Sequence, residues 1–108
     1  MKDFSVTQYA ASSLSQADRE IIVAVMRDLP RSWAADFETG DGDEDVYARI
    51  IGPWPDRSYS AFLIERQGCH VILTDRVTER FSDCVTCHAS VPAAMNRVRS
   101  LVLSSTLG

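Results

Sequence analysis

Apolar and polar residues alternate in two different rhythms along this chain. After a mixed start, the apolar positions Ile21/Ile22, Val25/Met26 and Leu29 recur at helical spacing, the single stripe of a 3.6-residue period. Ser15-Gln16-Ala17-Asp18 ahead of it has the S-x-x-D form of a capping box, and Pro30 bars continuation. The spacing predicts a helix from about Gln16 to Leu29, with residues 1–14 as a loose lead-in.

From Trp33 to about His88 the rhythm shortens to runs rich in Val, Ile, Tyr and Phe, separated by turn residues. Strands are expected near Trp33 to Glu38, Asp45 to Ile51, Ser58 to Arg66, Cys69 to Asp75 and Arg80 to Cys87. Gly40-Asp41-Gly42 opens the first hairpin, Gly52-Pro53-Trp54-Pro55-Asp56 is a stiff loop, and Gln67-Gly68 reads as a two-residue turn. Ser90 then caps a last helix that has Pro92 in its first turn and Val91, Met95, Val98 and Val102 on one face, before a tail from Ser104 that frays. The fold class is α+β: one domain, an antiparallel meander of about five strands, with an N-terminal and a C-terminal helix on one sheet face.

The two-residue turn sets a register. With Arg66 opposite Cys69, Ile64 meets Val71 and Phe62 meets Leu73, which gathers the apolar set on a core face together with Cys69. The opposite parity leaves Ala61, Leu63, His70, Ile72 and Thr74 on an outer face. A patch containing Leu63 and Ile72 on an uncovered sheet is larger than a monomer usually leaves bare, so association is expected, most simply a two-fold homodimer.

Composition narrows the partners. The chain has 108 residues, 45% of them hydrophobic, and carries a net charge of -4 from 15 acidic and 11 basic side chains. That balance gives no electrostatic reason to seek nucleic acid. The longest apolar run, Ile21 to Met26, is far short of the roughly 20 residues that span a bilayer. The opening Met1-Lys2-Asp3-Phe4-Ser5-Val6 lacks the basic start and apolar run of a signal peptide, so a reducing cytoplasm with free thiols is expected.

One stretch carries chemistry in its spacing. Cys84-Val85-Thr86-Cys87-His88 is C-x-x-C-H, the spacing that attaches a c-type haem and half of a zinc knuckle. On a regular strand, residues three apart point to opposite sides, so that spacing grips an ion only on a tight turn. A three-residue loop at Val77-Thr78-Glu79 places Cys69 opposite Cys87, which turns Cys87 inward and leaves Cys84 and His88 outside with His70. No cofactor is therefore expected. The alternative is a metal- or redox-responsive protein that uses zinc on Cys84, Cys87 and His88, with Cys69 and His70 nearby. A third reading is a small enzyme with a helix-sheet cleft and His70, Cys84 and His88 as its polar groups.

Two further features bear on binding. The acidic run Asp36, Glu38, Asp41, Asp43, Glu44 and Asp45 resembles the opening of a calcium loop, but Val46 stands where Gly is needed and Gly52 where Glu belongs, so a solvated hairpin tip is expected. Trp54, held between Pro53 and Pro55, suits either a partner anchor or a ring folded over the sheet edge. Together the residues predict a non-catalytic binding or interaction module that contacts a protein partner or small ligand through Trp54, Leu63, His70 and Ile72.

Overall fold

A computed structural model describes residues 13–40, 42, 44–55, 59–79 and 82–104. Helix α1 (Gln16–Met26) precedes strands β1 (Ala34–Thr39), β2 (Asp45–Ile51), β3 (Ser60–Gln67), β4 (His70–Asp75) and β5 (Cys84–His88), and helix α2 (Val91–Leu103) closes the order. The strands form one antiparallel sheet in the order β1-β2-β3-β4-β5. It is the α+β meander the pattern predicts, with a helix on either side in sequence.

Both helices begin on the caps read from the sequence. Ser15 Oγ accepts from the Asp18 N–H at 3.0 Å while the Asp18 carboxylate accepts from the Ser15 N–H at 2.9 Å, a complete capping box. Ser90 Oγ likewise accepts from the Ala93 N–H at 3.2 Å. Helix α1 stops at Met26, one turn before the expected Leu29, because its last carbonyls already accept in tighter turns, from Arg27, Asp28 and Leu29. Leu29 is still buried.

One apolar core joins all of this. Ile22 of α1, Val91, Ala94, Met95, Val98 and Val102 of α2, and Ala48, Ile50, Phe62, Ile64, Val71 and Leu73 of the sheet are buried together. Both helices therefore cover the same sheet face. Leu14, expected in the loose lead-in, belongs to this core and donates its N–H to the Asp45 carbonyl at 2.8 Å. Residues 1–12 and the tail from 105 lie outside the described residues.

The hairpin between β3 and β4 corrects the expected register. The turn is Gly68-Cys69, with Gln67 opposite His70, Ile64 opposite Leu73 and Phe62 opposite Asp75. Gly68 holds φ +62°, which a hairpin turn of the primed kind requires at its first central position. The register shift of two residues keeps every face assignment on these strands but moves Cys69 from the core to the exposed turn. Ala61, expected outside, is fully buried, beside a register irregularity between Ile50 and Ile51.

The next connection departs further. Instead of a three-residue loop, β4 ends where the Asp75 carboxylate turns back to accept from the Val77 and Thr78 N–H groups at 3.0 and 3.1 Å. Strand β5 starts at Cys84 rather than Arg80 and pairs Val71 with His88, Leu73 with Thr86 and Asp75 with Cys84. That register differs from the expected one by an odd number, so every side chain of β5 changes face.

Candidate functional site

The outer face of the sheet is built from two cross-strand rows. One runs Glu38, Tyr47, Glu65, Ile72, Cys87 and the other Asp36, Arg49, Leu63, Thr74, Val85. Its two halves differ in chemistry. On β1 and β2, Arg49 lies 3.7 Å from Asp36 and 3.6 Å from Glu38, and its Nε donates to Ser60 Oγ at 2.7 Å. On β3 to β5 the face carries Leu63, Ile72, Thr74, Val85 and Cys87, with Glu65 as its only charge among them. Leu63 and Ile72 are half-buried, and Val85 is 61% exposed. Among the described residues no element lies across this face, because α1 and α2 both occupy the other.

The expected contact residues separate into two places. Leu63 and Ile72 share the outer face, and His70 stands exposed on the same side at the hairpin end. Trp54 lies elsewhere. Its ring meets Trp33 edge-on at 5.6 Å and Tyr59 edge-on at 6.0 Å, and Trp33 in turn stacks near Phe62 of the core face. Of the two expectations for Trp54, the geometry is that of the ring folded back, half-buried against the core. A Cβ on Gly52 would collide with that ring, so glycine at this position leaves room for it.

The cysteine and histidine cluster is likewise rearranged. Cys84, Thr86 and His88 point to the helical side of β5, opposite to the expected outward placement, whereas Cys87 points out rather than in. Thr86 Oγ1 and His88 Nε2 share a hydrogen bond of 2.8 Å. The three candidate zinc ligands are thus divided between two faces, and among the described residues no three Cys, His, Asp or Glu side chains converge on a point that could hold a metal. For the cleft reading, a groove does run along α1, lined by Gln16, Arg19, Glu20, Val23 and Arg27. It includes none of His70, Cys84 or His88.

Sequence reasoning missed the best-formed polar site of the fold. Arg66 of β3 grips Asp18 with a two-pronged contact, Nη2 to Oδ1 at 2.9 Å and Nε to Oδ2 at 3.0 Å. Beside it, Arg19 Nη1 reaches both oxygens of the buried Asp45 at 3.0 and 3.2 Å, while its guanidinium lies over the Phe37 ring at 4.3 Å. These pairs fasten the first turn of α1 to the sheet. Burial pushes the Asp18 carboxyl up, but the bonds from Arg66 and Ser15 outweigh it and hold the group below the usual carboxylate value. In the sequence Asp18 reads only as a cap, since nothing local marks a partner 48 residues away.

Asp45 is spent on Arg19 and Gly40 closes the β1-β2 hairpin by donating to the Glu44 carbonyl at 2.8 Å. Asp41 and Asp43, the other oxygens of the calcium-like run, lie outside the described residues. Compared with protein-family models, curated proteins and solved structures, the chain matches none.

Proposed function

We propose that the chain is a non-catalytic binding and interaction module that joins a second copy of itself through the outer face of its sheet. The observation that carries this reading is the face itself. Five strands present a half-apolar surface while both helices pack on the opposite side. Leu63, Ile72 and Val85 on such a surface are stabilised by removing them from water, and two-fold pairing buries both patches at once. The division of charge supports the same arrangement, because a two-fold can bring the apolar β3 to β5 halves together and leave the Arg49 cluster at the rim, where polar groups stay solvated. A protein partner or small ligand bound by the assembled module is the wider role we assign to it. Free thiols at Cys69, Cys84 and Cys87 suit work in the reducing cytoplasm.

Leu63→Glu tests the reading with little harm to the fold, since Arg49 stands opposite on β2 and Thr74 on β4. Ile72→Lys is the companion change, placing a cation opposite Glu65. Each variant should keep the circular dichroism spectrum of the folded parent and halve its native mass in light scattering. A native mass that does not change, in a variant that is folded, refutes the proposal.

A further inference from the structure

The sheet has two edges, and they are finished differently. Just past β4, the N–H of Arg76 donates across to Ala61, which continues the β3-β4 register and shows that even-numbered residues of β4 direct their backbone groups to β3. Odd-numbered Val71, Leu73 and Asp75 consequently bond to β5, so their partners His88, Thr86 and Cys84 turn inward to the ladder. Among the described residues no strand lies beyond β5, and Val85 and Cys87 are left directing N–H and C=O groups to that edge. The same alternation carried to β1 puts Phe37 on its open edge, and there the N–H is already held by the Asp36 carboxylate at 3.0 Å. Edge β1 also carries Glu38 and a register irregularity at Glu38/Thr39, the usual devices that stop a strand from pairing. Edge β5 has no such device: no Asp, Glu, Lys, Arg or Pro, and an unbroken register over all its residues.

We propose that β5 pairs antiparallel with β5 of a second copy, making one continuous ten-stranded sheet. Centred on Thr86, a two-fold sets Val85 opposite Cys87 of the second copy and Cys87 opposite its Val85, so every outward N–H and C=O of these residues meets a partner. No charged side chains oppose one another in that register. The second copy is the occupant because the strand is its own complement and the assembly closes: the edges left at the two ends are both β1, each guarded by Asp36 and Glu38. This edge seam is separate from the face seam and stands without it. With both seams the chain forms four copies.

Amide hydrogen exchange of the unmodified chain reads the seam directly. The Val85 and Cys87 amides should exchange on the order of tenfold or more slowly than open-edge amides, approaching Thr86 and His88, and lose that protection on dilution. Val85→Pro removes an outward donor without removing an inward ladder bond, so it should halve the native mass. Leu63→Glu, which strikes only the face seam, should leave the Val85 and Cys87 protection in place. Fast exchange of both amides at high concentration overturns the proposal. Protection that persists in a single copy overturns it equally, since the cover is then intramolecular. Should the proline variant fail to fold, the exchange of the unmodified chain decides alone.

Discussion

Asp18 does two jobs with one carboxylate, capping α1 and receiving Arg66. Its folded value lies below the usual one, so its contribution to stability is full above the unfolded value of about 3.9 and is lost as pH falls through the folded value. Asp18→Asn should therefore cost on the order of 2 to 3 kcal/mol at neutral pH, because Arg66 is left partly buried without its counter-charge. Denaturant melts should show the gap between parent and variant closing as pH falls below the usual carboxylate range, because the Asp18 carboxyl is held below its ordinary value. A gap that is constant from neutral pH downward would mean that the charge contributes nothing. The pair also marks the limit of what the residues disclose in order: the cap is legible because its partners are three positions apart, and the fork is not, because the meander alone brings Arg66 beneath the helix.

At the scale of elements, local signals decided much and tertiary ones the remainder. The capping box of α1, the N-cap of α2, the apolar stripes and the presence of all five strands follow from patterning, and β2 has the expected bounds. In the β3-β4 hairpin, two registers that differ by two residues put the same apolar set inside, so alternation cannot choose between them; they differ in the first central position of the turn, where a primed turn needs a positive φ and Gly68 supplies it with less strain than Gln67 would. Gly68→Ala should accordingly destabilise the chain by about 1 kcal/mol, through backbone strain, since the space around the position is open. Equal stability of the two proteins in urea would show that the turn tolerates a side chain. The faces of β5 were not legible for a different reason. Cys84-Val85-Thr86-Cys87-His88 has no apolar alternation, and the preceding turn is built by the Asp75 side chain rather than by turn residues of its own.

For the whole molecule, the decisive fact is that one core receives residues from α1, α2 and the sheet. No part of that core can be opened without exposing the rest, which is the condition for a single cooperative transition. Trp33 and Trp54 report on packing at one end of the sheet, and far-ultraviolet circular dichroism reports on the helices. The two probes should give coincident thermal transitions at a fixed protein concentration. A lower midpoint by circular dichroism than by tryptophan fluorescence would show the helical layer leaving before the sheet. Most of the core, Phe62, Ile64, Val71 and Leu73 with the α2 stripe, was read from periodicity because burial is an average over many side chains, whereas Cys69, Ala61 and the faces of β5 were misplaced. The split of Cys84 and His88 from Cys87 was expected, but which of them faces the helices was not, because that depends on one register.

Gly52 and Trp54 occupy what is in effect a single volume: the indole fills the space that the glycine gives up. A side chain gained at position 52 should therefore be tolerated better when position 54 is smaller than tryptophan, so the two positions are expected to change as a pair rather than one at a time.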